Sequence, residues 1–297
     1  MKKYALIRPK VAAAQAMAGA PSYVRQGSIE VRLARSLKEI KAAQKLRYQI
    51  FYEEMHAKPD WRMRLTRRDI DQYDIFCDHL LVLDHDRPKG KRIVGTYRLL
   101  RQEVANQHAG FYSSGEYDLS PLMTESFGVQ MGEGRQLLEL GRSCVHKDYR
   151  ANATINMLWK GIATYLNDHN IAYMFGCASF EGIDPAEFKQ SMAYLYHNHL
   201  VPDDFKVKAL DDQFVDMNGM VAEDIDVRQA RRALPPLIKG YLRLGCFIGD
   251  GAVVDEQFGT TDVFILLPVE NIAKRYSKKF DIKDEANDSD ETVAAVQ

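Results

Sequence analysis

The chain has 297 residues, 46% of them hydrophobic and 27% charged, with a formal net charge of -1. That is enough apolar material for one sizeable core or two small ones. The near-neutral balance leaves no basic field for nucleic acid. The four scattered cysteines have no CxxC spacing and fit reduced thiols, and no apolar stretch approaches a membrane span.

Taken in chain order, residues 1–28 begin with lysines and turn Ala-rich, but Arg8, Pro9 and Lys10 break up any secretory signal, so the segment reads as a mobile or amphipathic leader. Residues 29–34 alternate like a strand. Ser36 with Glu39 then forms a capping box that opens a helix through Ile40, Ala43, Leu46, Ile50 and Phe51. Arg47 lies one turn before Phe51, so the two project to one side. Strands are predicted at residues 79–84 and 92–101, joined by the Asp86-Arg87-Pro88-Lys89-Gly90 turn.

Residues 137–145 read as a buried strand with two awkward members, Glu139 and Arg142, because charges are rarely buried unless paired. Past Arg150, the residues Ile155, Leu158, Trp159, Ile162 and Leu166 recur at helical spacing. A strand that ends where a helix begins presents free backbone N–H groups suited to an anion such as a phosphate. An acid and a base beside such a site point to group transfer.

A strand follows at residues 172–179, and Asp184-Pro185 with Glu187 starts another helix. The chain closes with residues 234–244, a turn around Gly249 to Gly251, and a strand at 262–267. Residues 281–297 form an acidic tail expected to be disordered. Strand and helix alternate without a regular βαβ repeat, which predicts an α/β or α+β fold around one mixed sheet, in a single domain over residues 29–280.

Four motifs in order carry a resemblance: R-x-x-x-F (Arg47, Phe51), D-Q-Y-D (Asp71, Asp74), G-T-Y-R-L (Arg98) and E-L-G-R (Glu139, Arg142). They resemble the acyl-homoserine-lactone synthases, which have the fold of the GCN5-related N-acyltransferases. The runs at residues 139–145, 234–245 and 249–268 are closer to a sister family, the bacterial L-ornithine N-alpha-acyltransferases. That resemblance covers about residues 30–280 and implies a mixed central sheet flanked by helices. It implies an enzyme that makes lyso-ornithine lipid from L-ornithine and a 3-hydroxyacyl chain carried by acyl carrier protein. It also implies that Arg47, Phe51, Asp71, Asp74, Arg98, Glu139 and Arg142 line the acceptor side. The expected location is cytoplasmic, with peripheral contact to the inner membrane through residues 1–20 or the helix at 186–200.

The chemistry can be weighed on its own. An α-amine titrates near 7.7–8.0 and a side-chain ammonium near 10.4, so roughly 100-fold more substrate is neutral at the α position. A carboxylate then need only complete that deprotonation, and Glu139 is the candidate base, directly or through a water. The plainer role for Glu139 is an ion pair with Arg142, which lies on the opposite strand face unless a bulge intervenes. The arginines suit planar carboxylates or a phosphate. Asp71 and Asp74 serve equally well as a charge network ordering residues 55–75.

On the donor side, acetyl-CoA enzymes of this fold carry an R/Q-x-x-G-x-G/A loop. The corresponding turn here, Arg150-Ala151-Asn152-Ala153-Thr154, has no glycine and adopts such conformations less readily. A phosphopantetheine arm has a single phosphodiester, so a reduced cradle suffices and an acyl-carrier-protein donor is favoured. Ser143, Cys144, Val145, Arg150, Asn152 and Thr154 are the donor-side candidates, with Ser143 and Cys144 equally suited to strand packing. No Cys/His pair supports a covalent route, no third ligand joins His197 and His199, and neither a metal nor a permanently bound cofactor is expected. A long acyl chain gains on the order of 10 kcal/mol by burial. Phe175, Phe180, Met192, Tyr194, Leu195, Phe247 and Phe264 offer material for a channel or for ordinary core. Basic clusters at residues 87–101 and 228–243 suit an acidic carrier protein or plain solvation. Two rival readings are an acyltransferase acting on another amino acid or an alcohol, and a non-catalytic domain that binds lipid or carrier protein.

Overall fold

Ten strands pair into one sheet: β1 (Ser22–Gln26), β2 (Ile29–Leu33), β3 (Asp78–Asp84), β4 (Ile93–Arg101), β5 (Tyr117–Asp118), β6 (Gln136–Val145), β7 (Ile171–Glu181), β8 (Lys208–Ala209), β9 (Phe247–Asp255) and β10 (Thr260–Pro268). Their order is β1-β2-β3-β4-β6-β7-β10-β9-β8-β5. The neighbours β6–β7 and β8–β9 run parallel, and the other pairs for which a register is given are antiparallel. The principal helices among the described residues are α1 (Leu37–Tyr48), α2 (Trp61–Thr66), α3 (Gln102–Ala105), α4 (Glu125–Met131), α5 (Asn152–Asp168), α6 (Lys189–His199), α7 (Val227–Ala233) and α8 (Pro236–Arg243). This computed structural model describes residues 22–150 and 152–272. Most of the expected leader, and the whole acidic tail, lie outside the described residues.

The period-two alternation of the strands divides the core. Leu80, Val82, Tyr97, Leu99, Leu138 and Leu140 face α5 and pack on Ile155, Leu158, Ile162 and Leu166. Leu81 and Leu83 face the other way, onto Ile40 and Ala43 of α1. Leu100, Leu137 and Phe175 meet Phe111, Leu122 and Phe127 from the segment between β4 and β6. Ser36 caps α1 by accepting the Glu39 N–H (3.3 Å), while the Glu39 carboxylate reaches the Arg35 N–H (2.6 Å). Past Tyr48 the helix widens into a π-helical turn, Gln49–Glu54.

Two expectations are corrected. Ser22–Gln26 pairs with Ile29–Leu33, so the folded domain begins before residue 29 and the leader ends earlier than predicted. Gly249 to Gly251 do not make a turn between elements: they lie inside β9, where Ile248 pairs with Ile265 and Ala252 with Val263. Three residues thus oppose Phe264 alone, which is a bulge. Gly251 has φ +85°, and a Cβ there would fall 2.4 Å from the Phe214 ring. Glycine content alone does not tell such a bulge from a turn.

Candidate active site

β6 and β7 are parallel partners only from Gln136 and Ile171 to Glu139 and Phe175. Beyond that point β6 is paired with β4 and β7 with β10. A cavity of about 650 Å³ opens between them, walled by Leu140 to Val145 on one side and Cys177 to Glu181 on the other. At the point of parting the strands are pressed together: a Cβ on Gly176 would fall 2.3 Å from the Leu140 carbonyl oxygen. The π-helical turn contributes Ile50, Phe51 and Glu54 to the rim.

Glu139 sits at this fork, buried but lining the cavity. Its Oε2 accepts the Tyr112 N–H (2.7 Å), and its Oε1 accepts the Ser113 N–H (2.7 Å) and Oγ–H (2.5 Å). Burial pushes its carboxyl above the ordinary range, although these donors and Arg98 oppose the rise. The two Ser113 donors fill both lone-pair sites of Oε1, whereas Oε2, with one donor, keeps a site for an incoming proton.

The bulge that decides the fate of Arg142 is present. Arg98 pairs with Gly141 and Thr96 with Cys144, so β6 carries an extra residue, and Arg142 takes φ +52°. Its side chain swings to the face of Arg98 and meets Asp69 (3.3 Å), Asp71 (3.5 Å) and the Tyr112 ring (4.8 Å). No ion pair joins Arg142 to Glu139 among the described residues, so the plainer reading of Glu139 does not hold.

The expected acceptor cluster divides in two. Arg98, Arg142 and Phe51 line the cavity; Arg47, Asp71 and Asp74 do not. Arg47 is 0% exposed and clamped between Asp69 (2.7 Å) and Asp74 (2.8 Å). Asp71 holds Arg98 (2.5 Å) and Arg142. Burial alone would raise its pKa, but those two guanidiniums outweigh it and hold the carboxyl below the usual range. These acids fix the arginines, which is the charge-network role. Asp71 and Asp74 also cap the turn Gln72–Ile75 that delivers Tyr73 to the cavity.

On the donor side, Ser143, Cys144, Val145 and Arg150 line the cavity, and Thr154 is buried at the start of α5 outside it. The side chain of Asn152 lies outside the described residues. Arg150 donates to the Val145 carbonyl (3.0 Å) and pairs with Glu54 (2.5 Å). Burial pushes the Cys144 thiol up to about 12 and the Cys177 thiol well above its ordinary value, so both stay protonated. Of the seven residues offered for an acyl channel, Phe180 lines this cavity; Met192, Tyr194, Leu195 and Phe264 are core.

Residues 46–160 match the family model described as Acetyltransferase (GNAT) domain. The L-ornithine N(alpha)-acyltransferase of Brucella abortus (strain 2308) is 48% identical over 254 residues, covering 85% of this chain and 88% of that protein. The L-ornithine N(alpha)-acyltransferase of Rhizobium meliloti (strain 1021) is 46% identical over 254 residues, covering 85% and 84%. The chain belongs to the L-ornithine N(alpha)-acyltransferase family. It is an acyltransferase with the GNAT-like mixed α/β fold expected of it. Among solved structures, the AHL synthase LasI aligns over 82% of this chain and 91% of that chain, with 12% identity and a TM-score of 0.41.

This member of the L-ornithine N(alpha)-acyltransferase family carries cavity groups that the sequence reading passed over. Tyr112 and Ser113 reach Glu139 largely through backbone N–H groups, which leave no mark in a sequence, with the Ser113 hydroxyl adding a third donor. Glu116, Asp255 and Asp262 line the cavity as well. Asp262 did carry a signal, since a lone acid leads the otherwise apolar run to Leu267.

Proposed function

We propose that the protein moves a 3-hydroxyacyl chain from acyl carrier protein to the α-amine of L-ornithine, giving lyso-ornithine lipid by direct aminolysis. The observation that carries this reading is Glu139 at the fork of β6 and β7, lining a cavity of about 650 Å³. The pantetheine arm lies along the unpaired edge of Leu140 to Val145, where backbone N–H groups polarise the thioester carbonyl. Glu139 takes the proton from the α-ammonium. The neutral nitrogen attacks the carbonyl carbon, the C–S bond breaks, and the amide forms as the thiol leaves with a proton. The ornithine carboxylate faces Arg98 and Arg142, which suit it by geometry and charge. The high thiol pKa values support attack without an acyl-enzyme. Apolar wall residues Ile50, Phe51, Met55, Phe180, Phe188 and Leu237 accept the acyl chain.

Peripheral contact with a membrane surface is supported by α2, where Trp61 is 68% and Leu65 78% exposed beside the exposed Arg62 and Arg64. No helix among the described residues is long and apolar enough to cross a membrane. The test is incubation with ornithine and either 3-hydroxyacyl carrier protein or 3-hydroxyacyl-CoA, with products resolved by tandem mass spectrometry. The expected product is the Nα-amide, formed faster from the carrier protein. Acylation at Nδ, or no amide from either donor, overturns the proposal.

A further inference from the structure

The cavity is charged at both ends. Arg98 and Arg142 stand on the β4–β6 side, and Glu116, Asp255 and Asp262 line the opposite wall. None of these three acids makes an ion pair among the described residues, whereas Asp69, Asp71 and Asp74 are all paired with arginine. Asp262 is only 8% exposed, and its Oδ1 has no hydrogen-bond partner. The Thr260 hydroxyl, two residues back on β10 and 5% exposed, lines the same wall and makes no well-formed hydrogen bond among the described residues, although it and the Ser179 hydroxyl stand near enough to Asp262 to hold its pKa down. Buried polar groups left unsatisfied are costly and uncommon, and two on one cavity wall indicate a missing polar guest. Three carboxylates without an ion pair specify its charge, Asp255 already accepting the Gln257 and Phe258 N–H groups at 2.8 and 2.9 Å. Burial, with neighbouring carboxylates adding to it, pushes Glu116 up to about 7 and Asp262 up to about 6, even though Arg142 and nearby hydroxyl and thiol donors pull the other way.

A short chain of contacts ties this wall to the base. The Ser113 hydroxyl that donates to Glu139 lies 3.8 Å from Cys177 Sγ, and that thiol donates to Glu116 Oε2 (3.4 Å). A flexible diamino acid therefore has a base at one end and an acidic pocket at the other.

Resting on the acyltransfer reading above, we infer that Asp262, Glu116 and Asp255, with the Thr260 hydroxyl, form the subsite for the side-chain ammonium of the acceptor. The subsite explains regiochemistry as well as selection. An ammonium held among carboxylates stays protonated and cannot attack, so the α-nitrogen alone is presented to Glu139. Acceptors with an uncharged side chain of the same length leave the acids unpaired and are rejected.

The experiment compares L-ornithine with L-norvaline, its analogue lacking the side-chain amine, on wild type, Asp262→Asn and Glu116→Gln. Both substitutions keep shape and remove charge. Wild type is expected to favour ornithine, and each variant to lower kcat/KM for ornithine by about 10–100-fold, mainly through KM. Turnover of norvaline is expected to hold or rise. A variant that loses both substrates in parallel, or a wild type that accepts norvaline as well as ornithine, overturns the subsite while leaving the acyltransfer reading intact. A wild type that acylates neither overturns the acyltransfer reading and the subsite with it.

Discussion

Arg47 and Glu139 show how differently two buried charges can be used. Arg47 is walled in by acids: it pairs with Asp69 and Asp74, which it shares with Arg142 and Arg98, and it donates a further hydrogen bond of 2.7 Å to the Asp69 carbonyl. Replacing it with methionine takes the closest cation from two buried carboxylates, leaving Asp69 to Arg142 and Asp74 to Arg98, so Arg47→Met is expected to lower folding stability by about 3 kcal/mol. Chemical denaturation measures this, and a loss under about 1 kcal/mol would assign the residue to a role other than holding the loop. Glu139 is instead held by neutral donors, with no cation bonded to it among the described residues, and keeps an open side toward the cavity. At this scale the sequence was only partly informative. The motifs marked Glu139, Arg98 and Arg142 as special, but residue identity does not separate an arginine that faces a substrate from one that is walled in. That distinction depends on which acids the fold brings alongside, and Asp69, which takes both Arg47 and Arg142, was not among the residues expected to matter.

The element that makes the cleft is the pair β6 and β7. Parallel strands stay paired unless something diverts one of them, and here the diversion comes one residue after the pair Glu139–Phe175, with the bulge at Arg142 close behind. Gly176 is the hinge of that fork because the Leu140 carbonyl occupies the space a side chain would need. Gly176→Ala is expected to cost about 1–3 kcal/mol of stability by overpacking. It should also reduce acyltransfer, since the strands must shift where Glu139 is held. Unchanged stability in a thermal or denaturant melt would show that the contact relaxes freely. Hydrophobic periodicity located both strands and α5 to within a few residues, because each buries one clear face or run. It was silent on the two-residue strands β5 and β8, which are too short to show a period. It was equally silent on the segment between β4 and β6, whose Tyr112 and Ser113 complete the site. The β9 bulge was misread because a glycine pair looks alike in a turn and in a strand that passes close under an aromatic ring.

Across the whole molecule, a formal net charge of -1 hides a strongly divided interior. The β4–β6 side of the cavity carries Arg98 and Arg142 beside the proposed base Glu139, and the β9–β10 side carries Asp255 and Asp262 without an arginine, an arrangement that matches an amino acid bearing a second cation better than a neutral amine or an alcohol. Composition excluded nucleic acid but offered no hint of this polarity, because charge counts add over walls that only the fold brings face to face. In the proposed mechanism Glu139 neutralises the acceptor's α-amine at the fork. The most direct measurement is kcat/KM for ornithine from about pH 6 to about pH 10, for wild type and Glu139→Gln. Because burial raises the Glu139 pKa and the base acts when ionised, the wild-type rate should climb with pH through a value above the ordinary carboxylate range. The variant should be slower by about 10²–10⁴-fold near neutrality. That defect should shrink toward about pH 10, where solution itself neutralises the α-amine. A defect that stays constant across this range, or a variant as active as wild type, would contradict the assignment of Glu139 as the base.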